Sequence, residues 1–233
     1  MKPVLIFRHI ACEGPAYLAG FLERRGMSYH VIRIDEGETV PQNPGNSSAL
    51  VFMGGPMSVN DDLPWIQAEL DLIRTAYRQR LPVLGHCLGG QLISKALGGT
   101  VIPSEQEFGW LPVCPYDSAK EPSWLSDIDY STEVFHWHGE TFSIPAGALP
   151  LFSTDACRNQ GFVAGSMMAL QCHVEIEMDD VARWINFYKD EIPGTGRAVQ
   201  SIDEMQRNLP QRIERLHEFA DKLYNHWLQF FRS

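Results

Sequence analysis

Long apolar runs and basic residues are both scarce in this chain of 233 residues. No stretch of 18 consecutive apolar residues occurs, so a membrane-spanning helix is not expected. The 19 Lys and Arg residues are outnumbered by 29 Asp and Glu residues, and the formal net charge is -10. Nucleic acids and anionic membrane surfaces are bound through basic patches. We therefore expect neither of them as a partner.

Cysteine is also sparse, with five residues and no Cys-x-x-Cys pair. An odd count without paired spacing argues against a disulfide framework, and the cytoplasm is the expected compartment. The apolar run Val4–Phe7 is too short for a signal peptide and is interpreted as a first strand. We find no repeats, low-complexity segments or long linkers, so one domain over residues 1–233 is expected.

The first hundred residues alternate between short apolar runs and amphipathic stretches. Strands are predicted at residues 4–7, 29–34, 49–53 and 82–85, and helices at 16–25, 65–80 and 91–97. This alternation predicts βαβ units. The expected fold class is therefore α/β and flavodoxin-like, with three layers: a mostly parallel central sheet and helices on both of its faces.

Shorter strand patterns follow Gly98-Gly99, and Pro and Gly separate several of them. They lie at residues 100–102, 110–114, 133–137, 149–154, 161–164 and 168–171, and a helical pattern follows at 179–189. We interpret these strands as an antiparallel or mixed extension of the same sheet.

A long apolar stripe predicts a C-terminal helix at about residues 201–231. The stripe consists of Ile213, Leu216, Ala220, Leu223, Trp227 and Phe231. An amphipathic helix of this kind usually packs on the sheet of its own domain. The alternative is a subunit interface, so a homo-oligomer is a second possibility.

The most informative segment is Gly85-His86-Cys87-Leu88-Gly89-Gly90-Gln91. It lies between an apolar strand pattern and a helix pattern, and a nucleophile at such a strand–turn–helix apex is a nucleophile elbow. The glycines allow a strained backbone and a close approach of substrate, and the helix N-terminus favours a thiolate. Cys87 is therefore a candidate nucleophile, although a cysteine between glycines can equally be a buried apolar residue.

Two other segments supply what a cysteine nucleophile needs. In Gln171-Cys172-His173-Val174-Glu175, His173 is a candidate base and Glu175, two residues on, is placed to orient it. Gly54-Gly55-Pro56 follows a predicted strand and can contribute a backbone N–H to an oxyanion hole. We expect the Cys87 sulfur and a ring nitrogen of His173 to meet at the carboxyl edge of the sheet.

Together these segments resemble the class I glutamine amidotransferases. The family pattern is a Gly-Gly-Pro loop, a G-x-C-x-G-x-Q elbow and a Q-x-H-P-E segment, and this chain has all three in the same order, with Val174 in place of the Pro. Glu107-Phe108-Gly109-Trp110 and His136-Trp137-His138-Gly139-Glu140 are further similar segments. The resemblance covers roughly residues 3 to 190.

The resemblance implies a role for each matched residue. Cys87, His173 and Glu175 would form a catalytic triad that hydrolyses a γ-glutamyl amide through a glutamyl thioester. The N–H groups of Gly55 and Leu88 would form the oxyanion hole. The side chains implied to hold the amino-acid end of glutamine are Gln91, Trp137 and His138.

The sequence leaves three functions open. The first is an amidotransferase that releases ammonia from glutamine, with a separate synthetase subunit as the acceptor. The second is a γ-glutamyl peptidase that acts on glutathione-like amides with the same triad. The third is a retired amidotransferase that serves as a binding or regulatory subunit, against which the intact Cys87, His173 and Glu175 argue.

Neither a metal nor a cofactor is expected. His136 and His138 could face the same side of a strand, but no third ligand stands at a suggestive spacing. The pair Arg8-His9 follows the first strand, and His9 is interpreted as a surface histidine rather than as part of the site.

Overall fold

The structure is a computed structural model that describes residues 2–116, 125, 128–190, 192, 194 and 196–231. The strands are β1 (Val4–Arg8), β2 (Tyr29–Arg33), β3 (Ala49–Phe52), β4 (Val83–His86), β5 (Val101–Pro112), β6 (Cys114–Pro115), β7 (Glu133–Phe142), β8 (Leu149–Ser153), β9 (Gly161–Ala164) and β10 (Met167–Leu170). The helices are α1 (Ala16–Arg24), α2 (Pro64–Gln79), α3 (Leu88–Ala96), α4 (Met178–Phe187), α5 (Ile202–Gln206) and α6 (Leu209–Leu228).

Eight strands form a central sheet in the order β2-β1-β3-β4-β10-β9-β8-β6. The first five of these run parallel to their neighbours, and β9, β8 and β6 extend the sheet in antiparallel fashion. The order at the parallel end is that of a flavodoxin-like sheet. The expected fold class, a mostly parallel α/β sheet with an antiparallel extension, is therefore confirmed.

Helices cover both faces of this sheet, because the strands are apolar on both sides. Helices α1, α4 and α6 pack on one face, where Leu22, Trp184 and Leu216 are buried in one core cluster. Helices α2 and α3 pack on the other face, where Ile73 and Leu92 are buried in a second cluster. Strands buried on both faces are typical of parallel sheets, and they explain the continuous apolar runs in the sequence.

The strands β5 and β7 differ from the prediction. They pair with each other in a separate two-stranded sheet instead of extending the central one. The predicted short strands at 100–102 and 110–114 belong to the single twelve-residue strand β5, with an irregularity between Pro103 and Glu107. The polar residues between those two positions interrupt the apolar pattern and shift the register of the pairing, which resumes at Glu107.

The C-terminal helix is divided. Asn208 has left-handed backbone dihedral angles (φ 55°, ψ 31°) and separates α5 from α6. The apolar stripe on α6 is buried against the central sheet, with Leu216, Leu223 and Trp227 each fully buried. The stripe therefore belongs to the core of this chain and is not a free subunit interface. Among the described residues, no helix has the length and apolar character needed to cross a membrane.

Two boundaries near the candidate nucleophile also differ from the prediction. Helix α3 begins at Leu88, three residues before the predicted start at Gln91. Strand β10 ends at Leu170, so His173 and Glu175 lie beyond it in irregular backbone. The alternation of side chains along a strand therefore does not explain why these two residues meet.

Candidate active site

Cys87 lies at the sharp turn between β4 and α3. Its backbone has φ 48° and ψ -107°, a conformation that non-glycine residues rarely adopt. The N–H of Cys87 donates to Leu170 O at 2.8 Å, which ties the turn to β10. The turn needs glycine on both sides, because a Cβ at Gly85 would lie 2.4 Å from the backbone of Gly89. This strained, over-determined geometry is that of a nucleophile elbow.

His173 is buried beside Cys87, and Glu175 holds its ring. Nδ1 lies 2.7 Å from Glu175 Oε1, and the Cys87 side chain is close enough to act on the charge of the imidazole. Its backbone N–H donates to Phe135 O at 2.8 Å, so β7 fixes the position of the residue. Burial alone would lower the pKa of His173, but the Glu175 carboxylate and the Cys87 side chain outweigh it and raise that pKa well above its ordinary value.

Glu175 is the buried anion of this group. Burial opposes its ionisation, yet the nearby His86 and His173 hold the pKa of Glu175 well below its usual range. Its Oε1 is bonded to His173, and its Oε2 lies 3.7 Å from His86 Nε2. The structure thus brings His173 and Glu175 into contact beside Cys87, and the catalytic triad of these three residues remains a prediction.

The loop after β3 lies against the start of α3. Gly55 is so close to it that a Cβ at this position would lie 3.3 Å from Leu88 Cδ2 and 3.2 Å from His9 Cβ. Leu88 is the first residue of α3, where backbone N–H groups have no partner within the helix. Gly55 and Cys87 line the same cavity, and Leu88 directly follows Cys87 in the chain. An oxyanion hole made of the Gly55 and Leu88 N–H groups remains a prediction.

The cavity in front of Cys87 has a volume of about 310 Å³. The lining residues are Glu13, Gly55, Pro56, Met57, Cys87, Gln91, Gln106, Phe108, Trp137, His138, Gly139, Glu140 and Tyr188. All three predicted substrate-binding residues are among them. Its far wall comes from β5 and β7, so the two-stranded sheet forms a side of the site.

His138 is fixed from behind by a buried carboxylate. Its Nε2 lies 2.9 Å from Glu107 Oε2, and its Nδ1 lies 3.1 Å from Glu140 O. Burial opposes ionisation of Glu107, but the bond to His138 and the charges of His136 and His138 lower the pKa of Glu107. The same carboxylate accepts hydrogen bonds from Thr154 and Gln160.

Glu107, His138 and Cys157 are the residues that could hold a metal, since their donor atoms lie within 4.8 Å of one another. Besides His138, the donors are Glu107 on β5 and Cys157 in the segment after β8, and His136 is not one of them. Each of the three is already hydrogen-bonded, with Cys157 donating to Thr141. A hydrogen-bonded network accounts for this arrangement, and we assign no metal to it.

Three residues of the site were not singled out from the sequence. Glu13 and Tyr188 line the cavity, and the Tyr188 hydroxyl donates to Glu13 Oε1. Gln171, which the motif contains without a role, places Nε2 3.5 Å from Cys87 Sγ. The available signal for Glu13 was its position in the loop after β1, because such loops meet at the carboxyl edge of a parallel sheet.

The expectation that His9 is a surface residue was wrong. His9 is 3% exposed, and its Nε2 lies 3.1 Å from Glu69 Oε2. Its Nδ1 lies 3.0 Å from Met53 O, directly before the Gly54-Gly55 loop. His9 therefore supports that loop from below and is not among the residues that line the cavity.

Comparison with known proteins gives a consistent family. The model of the family described as glutamine amidotransferase class-I matches residues 17–185. The chain is 31% identical to the glutamine amidotransferase-like protein YfeJ of Salmonella typhimurium, over 92% of this chain and 94% of that protein. It is 32% identical to the GMP synthase of Chlamydia caviae over 99 residues, which are 42% of this chain and 18% of the synthase.

Among solved structures, the crystal structure of a glutamine amidotransferase from Methylobacillus flagellatus superposes with a TM-score of 0.93 and is 38% identical in sequence. The match covers 100% of this chain and 96% of that one. The matched region contains the elbow, the loop after β3 and the segment that carries His173 and Glu175. This chain therefore belongs to the class I glutamine amidotransferase family.

Proposed function

We propose that this chain hydrolyses a γ-glutamyl amide, with Cys87 as the nucleophile, His173 as the acid and base, and Glu175 as the residue that orients His173. The observation that carries the proposal is a buried imidazole–carboxylate pair, His173 and Glu175, beside a cysteine at a strained elbow that opens into a cavity. An inert core cysteine has no need for such a turn or for a buried imidazole–carboxylate pair.

The proposed reaction has two steps. The Cys87 thiolate attacks the γ-glutamyl carbonyl carbon, and the C–N bond breaks as His173 gives its proton to the leaving amine. A water molecule then gives its proton to His173 and attacks the glutamyl thioester, which releases glutamate and restores the thiolate–imidazolium pair. The N–H groups of Gly55 and Leu88 stabilise the oxyanion of both tetrahedral intermediates.

Gln91, Trp137 and His138 are proposed to hold the amino-acid end of the substrate. Gln91 Nε2 lies 3.4 Å from Glu140 O and 3.3 Å from Gln171 Oε1, so its side chain is held in place between two elements. His138 is fixed by Glu107, as described above. Side chains that are held in this way lose little conformational freedom when substrate binds.

The leading form of the proposal is a glutamine amidotransferase whose ammonia goes to a separate synthetase subunit. The GMP synthase of Chlamydia caviae is more than five times as long as the segment that matches this chain, since that segment is 18% of it. A γ-glutamyl peptidase that acts on glutathione-like amides is the second candidate, because it would use the same triad. A retired binding subunit is the non-enzymatic alternative, and the cytoplasm remains the proposed compartment.

The test of the nucleophile is glutamate release by the wild-type chain and by Cys87→Ala and Cys87→Ser, with glutamine, glutathione and γ-glutamyl dipeptides as substrates. We expect the wild type to release glutamate and both variants to release none above background, while their circular dichroism and melting temperature stay at wild-type values. Cys157→Ser, which changes a buried cysteine outside the cavity, is the matched control for the loss of a thiol. Turnover by Cys87→Ala would show that the nucleophile is assigned wrongly.

The same assay separates the two enzymatic candidates. An amidotransferase without its acceptor should hydrolyse glutamine weakly, because an unrestrained site would waste glutamine. A peptidase has no such restraint. A kcat/KM for glutathione about a hundredfold above that for glutamine, roughly 2.7 kcal/mol of transition-state discrimination, would favour the peptidase over the amidotransferase. Absence of glutamate release from every substrate would favour the retired subunit.

A further inference from the structure

Glu13 places a carboxylate inside the cavity, beside the proposed general acid. It lies in the loop between β1 and α1, is 6% exposed and lines the cavity. Tyr188 donates to its Oε1, and within the described residues its Oε2 receives no hydrogen bond. A Cβ at Gly54 would lie 2.1 Å from Glu13 Oε2 and 3.0 Å from His173 Cε1, so the carboxylate and the imidazole both pack against this glycine.

The leaving amine must lie within reach of the imidazole of His173. Nδ1 of His173 is occupied by Glu175, so the other ring nitrogen, Nε2, delivers the proton to the leaving group. Cε1 is the ring atom bonded to both nitrogens, and it lies next to the Glu13 carboxylate. A substituent on the leaving amine therefore extends past Glu13 on its way out of the cavity.

The charges around the cavity favour a cation at this point. Its charged lining residues, among those the structure describes, are Glu13 and Glu140, and no Lys or Arg belongs to the lining. Glu140 Oε2 accepts a hydrogen bond from Ser58 at 2.8 Å, whereas Glu13 Oε2 is left for a ligand. An anionic group on the amine portion, such as the terminal carboxylate of glutathione, would meet the like charge of Glu13, while the nearby His173 is already bonded to Glu175.

We propose that Glu13 binds a positively charged group on the amine portion of the substrate, and that the preferred substrates are γ-glutamyl amides of short diamines. Hydrolysis of such an amide adds water across the C–N bond and releases glutamate and the diamine. A volume of about 310 Å³ is at the lower end for small-molecule sites, which suits a short diamine better than a peptide. This assignment of the substrate class rests on the proposed function.

The test compares two amides of equal size. One is γ-glutamyl-1,4-diaminobutane, which carries a terminal ammonium, and the other is γ-glutamyl-n-pentylamide, which has a methyl group in its place. We expect the wild type to have a kcat/KM for the diamine amide at least tenfold above that for the pentylamide, and Glu13→Gln to bring this ratio close to one. Glutamine at Glu13 keeps an acceptor for Tyr188, and a circular dichroism spectrum checks its fold.

Glu140→Gln is the matched control, because it removes the other carboxylate of the lining, and it should keep the wild-type ratio. An equal preference in the wild type, or a preference that survives Glu13→Gln, would overturn the proposal. Loss of the ratio in Glu140→Gln alone would also overturn it, since the cation would then bind at Glu140.

A binding measurement separates this inference from the proposed function. Titration calorimetry of both amides into Cys87→Ala protein reports the preference without turnover, and we expect at least tenfold tighter binding of the diamine amide. Such binding without hydrolysis by the wild type would support the cation site and contradict the enzymatic function. Hydrolysis of both amides at one rate, with equal binding, would support the function and reject the cation site.

Discussion

Two carboxylates lie beside His173, and they have different tasks. Glu175 is bonded to Nδ1 at 2.7 Å and raises the pKa of the imidazole, whereas Glu13 lies at the Cε1 side and faces the cavity. Glu175, with the proposed orienting role, is 2% exposed, and Glu13, with the proposed recognition role, lines the cavity. The environment of each residue thus decides its role, although both are glutamates.

We expect Glu175→Gln to lower kcat by up to about 10⁴-fold, the loss found when the orienting carboxylate of a serine triad is neutralised. The pH–rate profile gives a second readout. Because the Glu175 carboxylate raises the pKa of His173, its removal lowers that pKa, and the limb on which the imidazolium loses its proton should move to lower pH. Asp179→Asn, an exposed position on α4, is the control and should change neither. An unchanged rate and limb in Glu175→Gln would remove Glu175 from the triad.

At the level of elements, the elbow depends on how closely α3 approaches the sheet. A Cβ at Gly89 would lie 2.0 Å from Phe52 O, and one at Gly90 would lie 2.5 Å from Leu170 O. Helix α3 therefore lies in direct backbone contact with β3 and β10, the two strands on either side of β4. This contact holds the first turn of the helix, and with it Cys87, against the carboxyl edge of the sheet.

Gly89→Ala should destabilise the chain by about 1–3 kcal/mol or more, because the new methyl group collides with backbone atoms that cannot rotate away. Gly20→Ala is the matched control in α1, where the nearest atom to a new Cβ is the flexible end of Arg24, at 3.2 Å. That substitution should leave stability unchanged or raise it by up to about 1 kcal/mol. Urea unfolding curves measure both, and equal midpoints for the two variants would contradict the close contact of α3.

The accuracy of the sequence-based elements follows from how each element is stabilised. Strands β1, β3 and β4 were predicted to within about one residue at each end, because burial on both faces makes them continuous apolar runs. Strand β5 was predicted in two pieces, since its middle is polar and becomes a strand only by pairing with β7. Glu13 was missed for a related reason: it lies in a loop, and loops carry no periodicity that would show which way a side chain points.

For the molecule as a whole, buried histidines set the response to acid. Burial lowers the pKa of His136 to about 4, so the folded chain resists protonation that the unfolded chain accepts near pH 6.5. The unfolded state therefore binds more protons between these values, and stability is lost as the pH falls from about 6.5 to about 4, on the order of 3 kcal/mol from this residue. The raised pKa of His173 acts in the opposite sense, since the contribution of His173 to the free energy of unfolding is lost as the pH rises.

His136→Gln should flatten this loss. The glutamine amide can replace the His136 Nε2–H donor to Leu111 O, and it does not titrate. We expect the free energy of unfolding, measured in urea at intervals from pH 7 to pH 4, to fall less steeply in His136→Gln than in the wild type. His30→Gln, an exposed position on β2, should keep the wild-type slope. A variant slope equal to that of the wild type would mean that His136 is not the group responsible.

The cavity is built on two separate supports. Cys87 follows a strand of the central sheet, whereas Phe108, Trp137 and His138 stand on the β5–β7 pair. Under the proposed function, cleavage of the C–N bond and admission of the substrate thus depend on different parts of one chain. Natural variation or laboratory recombination that exchanges the β5–β7 pair and the loop of Glu13 could alter which amides enter while the nucleophile stays as it is. Such a division makes this architecture suited to diversification, since substrate specificity can change while the nucleophile and its surroundings are kept.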